Sequence, residues 1–89
     1  MDESAFEAEL KADGYTEIEI KTLAPRPANI AHEHPYSIRG FVLSGTFIVT
    51  QRDRHDAIQP GQAFDVIKGR LHTEEVGPDG AGIVVGRKY

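Results

Sequence analysis

The apolar positions change period along the chain. In "DESAFEAELKADG" (2–14), Phe6 and Leu10 stand four apart among small and acidic residues, the spacing of one face of a helix. Asp2 or Ser4 is placed to cap it, acidic residues fill its first turns, and Gly14 can end it. The Phe6–Leu10 face predicts packing on the rest of the domain, with a partner-binding helix as the alternative. After Gly14 the period falls to two. "YTEIEIKTL" (15–23) predicts a half-buried strand with Ile18 and Ile20 on one face and Glu17, Glu19 and Lys21 on the other. "APRPAN" then interrupts regular structure with two prolines.

From there the pattern is short apolar runs between turn signals. "SIRGFVLSG" and "TFIVTQ" predict strands flanking a tight turn at Ser44–Gly45. "RDRHD" reads as a polar loop, "QPGQ" as a turn, "AFDVIKG" as a strand ending at Gly69, and "LHTEEV" and "AGIVVGRK" as strands around a "GPDG" turn. Evenly spaced short strands predict an all-β sandwich or barrel: one domain, with a helix over 1–14 and the β-barrel over 15–89. Phe41-Val42-Leu43 and Ile83-Val84-Val85 are continuous apolar runs and predict strands buried on both faces. A barrel interior covers one face only. The other calls for extra strand cover or a second subunit, and a homodimer is the expectation.

Composition narrows the chemistry. The formal charge is −4, from 14 acidic and 10 basic residues, and the basic ones are scattered apart from "QRDRH" (51–55). That argues against a nucleic-acid surface. No apolar stretch approaches the about 20 residues of a membrane span, and the acidic start "MDESAFEAEL" is not read as a secretory signal. A soluble cytoplasmic protein is expected. With no cysteine, any metal must be held by nitrogen and oxygen donors.

The four histidines therefore carry weight. His32 and His34 flank Glu33 in "IAHEHPYSIRGFVLSG" (30–45). On a strand, residues two apart share a face, so these two imidazoles converge while Glu33 points away. Such a pair needs a third donor, and His72 in "GRLHTEE" is the candidate. Glu74 shares the parity of His72: it is either a fourth ligand or a solvated surface residue. Tyr36 shares the parity of His34 and is placed to line the pocket. His55 is read as solvent-facing; Phe47, Phe64 and Val66 are read as core.

These positions resemble the two motifs of the cupin superfamily, G-x5-H-x-H-x(3,4)-E-x6-G and G-x5-P-x-G-x2-H-x3-N. The first matches His32, His34 and Gly45; the second matches Gly61, Gly69 and His72, with no gap in either. Arg26, Ile67 and Val76 stand where the motifs have glycine, proline and asparagine. Ile38 stands where they have a glutamate ligand, and an isoleucine cannot bind a metal. The resemblance implies a small single-domain cupin of the cupin-2 kind, a double-stranded β-helix or jelly-roll barrel with a short N-terminal helix. It implies a divalent transition metal (Zn, Fe or Ni) on His32, His34 and His72, with Tyr36, Ile38 and Phe47 lining the pocket. Some iron dioxygenases of the superfamily use three histidines without the glutamate.

Three function classes follow. One is a metal-dependent, dioxygenase-like enzyme acting on a small molecule. Another is a non-catalytic module that binds or senses a small molecule, with a degenerate metal site. The third is a metal-free cupin whose histidines do acid–base work, as in sugar epimerases; that needs an acid/base pair and a larger polar pocket, which the sequence does not display.

Overall fold

The computed structural model describes residues 2–89. The N-terminal segment forms α1 (Glu3–Ala12), with Asp2 as its cap: the Ala5 N–H donates to Asp2 Oδ1 at 2.8 Å, satisfying one of the free donors of the first turn. Five strands follow: β1 (Thr16–Leu23), β2 (Ser37–Gln51), β3 (Arg54–Ile58), β4 (Ala63–Val66) and β5 (His72–Lys88). All their pairings are antiparallel.

The two long strands organise the molecule, and they correct the sequence reading. β2 and β5 each run through the place where a turn was expected, at Ser44–Gly45 and at "GPDG". The turn residues are absorbed as irregularities: the β2–β5 register shifts between Val42 and Ser44 and again between Gly45 and Phe47. Gly45 has φ 69°, and a Cβ there would overlap the carbonyl oxygen of Gly80, so only glycine lets the two backbones meet this closely. Each strand thereby serves two sheets. The first half of β2 lies between β4 and the second half of β5, which also carries β1. The second half of β2 lies between β3 and the first half of β5. The result is an all-β, two-layered jelly-roll barrel with one short helix.

β3 corrects a further point. "RDRHD" is not a loop: only Arg52 and Asp53 turn, and Thr50 pairs with His55 across a tight hairpin. His55 is solvent-exposed as expected. In β1 the expected alternation holds from Ile18 on, but the isoleucine face is the outer one. Glu17 has φ 51° and the register shifts between Thr16 and Glu19, a bulge at the start of the strand. Ile18 packs toward the helix, Ile20 on the same face is 58% exposed, and Lys21 and Leu23 face the barrel interior.

Two apolar clusters result. The inner one fills the barrel with Val42, Phe47, Val49, Phe64, Val66 and Ile83 among others. The outer one is Phe6 and Leu10 of α1 on Phe41 and Val84, with the Phe6 and Phe41 rings stacked at 5.2 Å. The helix thus covers the outer face of the two continuous apolar runs, as the Phe6–Leu10 spacing predicted. The outer faces of those runs, on which a homodimer was expected, are packed against the chain's own helix. Among the described residues no helix is long and apolar enough to cross a membrane.

Candidate metal centre

The segment between β1 and β2 is irregular, but it is fixed to the first half of β5 at three points. Arg26 and Val76 exchange backbone hydrogen bonds at 3.1 and 2.9 Å, and His32 and His72 do so at 3.0 and 2.9 Å. Between them Asn29 brackets Glu74: its N–H donates to the Glu74 carbonyl at 3.2 Å, and its Oδ1 accepts from the Glu74 N–H at 2.8 Å. His32 and His72 are therefore directly opposed across an antiparallel bridge. His34 lies two residues along from His32 and Glu74 two from His72, the spacing at which strand residues share a face. The His34 carbonyl accepts from the Gly69 N–H at 2.9 Å, which ties it to the glycine turn before β5.

These four residues converge. One donor atom from each of His32, His34, His72 and Glu74 lies within 4.8 Å of all the others. The ring centroids are 4.4 Å apart for His32–His72, 4.9 Å for His32–His34 and 5.3 Å for His34–His72. Glu74 Oε1 is 3.2 Å from His32 Nε2 and 3.4 Å from His72 Nε2. Glu33 points away and is exposed.

The hydrogen bonds fix which nitrogens are available. His32 Nδ1 is 2.9 Å from the Ile30 carbonyl oxygen and His72 Nδ1 is 3.0 Å from that of Arg70. A carbonyl only accepts, so both Nδ1 atoms carry the proton and donate. In the neutral rings, both Nε2 atoms are then left with lone pairs. They face a carboxylate oxygen, which has no proton to give when ionised. His72 Nε2 is buried and makes no hydrogen bond despite its 3.4 Å approach to Glu74. Lone pairs opposed at this range repel unless a cation stands among them. Backbone carbonyls that orient ligand imidazoles through the far nitrogen are a recurrent support of metal sites. His34 is held below the ordinary histidine pKa, first by burial and then by the neighbouring His32 and His72, so it keeps its lone pair to lower pH. The donor set fits a divalent transition metal.

Beside the donors the barrel holds a partly open cavity of about 220 Å³. Tyr36, Ile38 and Phe47 line it, as do His34 and Glu74. The Tyr36 ring stacks on His34 at 4.9 Å, nearly parallel. Ile38 occupies the wall where the motif would place a carboxylate, and Glu74 brings one from β5 instead. Three further wall residues escaped the sequence reading: Lys21, Arg26 and Arg87. Lys21 was grouped with Glu17 and Glu19 on the polar face of β1, and a period of two does not say which face turns into the barrel. Arg26 had one signal, its place where the motif has glycine, but nothing in the pattern says that its side chain reaches the cavity. Asn29, the brace on Glu74, left no signal at all.

No protein-family model matches the sequence, and no curated protein matches it. Solved structures do resemble it. A cupin-2 domain protein from Shewanella frigidimarina superposes with a TM-score of 0.67 at 20% identity, over 83% of this chain and 72% of that one. A protein of unknown function from Rhizobium leguminosarum gives a TM-score of 0.73 at 20% identity, over 80% of this chain and 67% of that one. Oxalate decarboxylase from Bacillus subtilis, a protein with Mn(II) centres, gives 0.70 at 20% identity over 80% of this chain, which spans only 20% of its length. The chain has the cupin fold.

Proposed function

We propose that this cupin-fold chain holds a divalent transition metal on His32, His34, His72 and Glu74 and presents it to a small molecule in the adjoining cavity. One observation carries the reading: three imidazoles and a carboxylate gather within 4.8 Å with two Nδ1 protons already committed to carbonyls. The lone-pair cluster is costly without a cation. Three nitrogens and one oxygen suit Zn, Fe or Ni. Glu74 acts as the fourth ligand in place of the carboxylate missing at Ile38. A metal bound there would supply Lewis-acid polarisation or, for iron, redox chemistry toward oxygen of the dioxygenase kind. The residues of the chain orient: Tyr36 gives a flat platform against His34, and the apolar floor of Ile38 and Phe47 limits water.

A binding or sensing module is the second reading, and a specific observation favours it. Apart from His34 and Glu74, the polar part of the cavity wall is Lys21, Arg26, Arg87 and Tyr36, with no further carboxylate or imidazole to act as a general base. Elemental mass spectrometry of purified protein beside His72→Ala tests the metal. The expected result is near-stoichiometric metal in the wild type and little in the variant. No metal in either, after reconstitution with Zn, Fe or Ni, would overturn the reading.

A further inference from the structure

The cavity has a charge that its donor set does not explain. Lys21, Arg26 and Arg87 line it against a single carboxylate, Glu74, in a chain whose formal charge is −4. Lys21 lies 3.8 Å from Glu19 and Arg87 lies 3.5 Å from Glu17. In both the carboxylate is exposed, and such pairs neutralise little. Arg26 differs. Like Lys21 and Arg87 it is half-buried, but among the described residues no carboxylate lies within 4.0 Å of its guanidinium. It gives one N–H to the Glu74 carbonyl at 3.0 Å. A guanidinium has five N–H donors in a fork that matches a carboxylate. The rest of the wall is mainly apolar, with Ile38, Phe47 and Val85 among its residues.

We propose that this cavity takes a small organic carboxylate, its charged head paired with Arg26 and its apolar body on Ile38, Phe47 and Val85. The proposal deepens the preceding reading and rests on it for the cavity's role. Arg26 is not a metal donor, however, so the two can fail separately. The volume, about 220 Å³, equals the liquid share of roughly seven waters at ~30 Å³ each; this limits the ligand to a compact acid. The cation asks for a negative head, and the apolar floor asks for a body that phosphate and acetate lack. A neutral amide of the same shape satisfies the floor and leaves the guanidinium unpaired.

The test is a pair of NMR titrations, with benzoate and with benzamide, followed on the methyl groups of Leu23, Ile38 and Val85. They are run on the chain without metal and after zinc loading, with zinc content measured in parallel. Benzoate is expected to shift these methyls and to bind at least ten-fold more tightly than benzamide. Arg26→Gln should lose that preference while keeping its zinc, and Arg26→Lys should keep part of it. If Arg26 only braced the Glu74 carbonyl, its replacement would weaken benzoate and benzamide alike. Equal binding of the two by the wild type overturns the proposal, and needs no variant to fold. So does an unchanged preference in Arg26→Gln, or inorganic phosphate or acetate binding as tightly as benzoate. A wild type that prefers benzoate but retains no zinc sinks the metal reading and leaves this one standing.

Discussion

At the scale of single residues, Glu74 has the most to reveal. Its Oε1 faces the Nε2 atoms of His32 and His72 at 3.2 and 3.4 Å, an arrangement that a cation favours and an empty site does not. Glu74→Gln keeps the shape, removes the charge and adds two N–H donors for those lone pairs. The metal-free variant is therefore expected to melt above the metal-free wild type, by the ~1 kcal/mol of one hydrogen bond. Its zinc affinity should fall ten-fold or more, each factor of ten being about 1.4 kcal/mol. Thermal melts in chelator and a zinc titration read the two opposite signs; a variant destabilised in both would show that the carboxylate is structural. His34 adds a pH dependence. Burial and its two histidine neighbours lower its pKa, so between that lowered value and the ordinary one near 6.5 the unfolded chain binds a proton that the folded chain refuses. Metal-free stability should then rise with pH through this window, be fully present above about pH 6.5, and fall as the solution is acidified. The slope should flatten in His34→Gln. The convergence of the three histidines was legible because parity and spacing are properties of the sequence, while for Glu74 parity left a ligand and a solvated surface residue both open. Arg26 was not legible: it comes to the cavity through an isolated bridge to Val76, a contact between segments with no shared period.

At the scale of elements, the helix and the two bent strands divide the work of making a core. The Phe6–Leu10 pair was readable because a helical face repeats every three to four residues. What it covers was not, since Phe41 and Val84 are joined to it only by the fold. Leu10 is fully buried in that cluster, so Leu10→Ala should cost about 2–5 kcal/mol, measured by denaturant unfolding; a loss below 1 kcal/mol would mean that the helix is docked only loosely. The strand breaks were misread for a related reason. Glycine signals both a turn and a place where backbones touch, and the sequence does not distinguish them. At Gly45 the second applies, because of the approach to the Gly80 carbonyl. Gly45→Ala should therefore destabilise by more than the roughly 1 kcal/mol of an ordinary left-handed position, since the added methyl meets backbone that cannot rotate away. β1 shows the opposite failure: Ile18 and Ile20 share a face as the alternation predicted, but that face is the outer one, and Lys21 and Leu23 turn into the barrel.

For the whole molecule, the site joins its least regular stretch to its most regular one. Residues 26–34 hold few hydrogen bonds of their own and lean on β5 through the Arg26, Asn29 and His32 N–H groups. The metal donors straddle this junction, with His32 and His34 on one side and His72 and Glu74 on the other. A ligand that binds only the folded chain stabilises it by RT ln(1 + [L]/Kd), about 2.7 kcal/mol at a hundred-fold excess over Kd. In a domain of this size each kcal/mol moves the melting temperature by about 4–8 °C. Zinc at that excess should therefore raise the Tm by about 10–20 °C, chelator should reverse the rise, and His72→Ala should show little of it. Because the donors cross between 26–34 and β5, part of this stability must appear locally. Hydrogen exchange of the Arg26, Asn29 and His32 amides should slow with zinc by more than that of the helix amides, which share no hydrogen bonds with the site. Uniform slowing across the chain would mean that exchange occurs only through global unfolding, and that the segment is already as firmly held as the barrel without its metal.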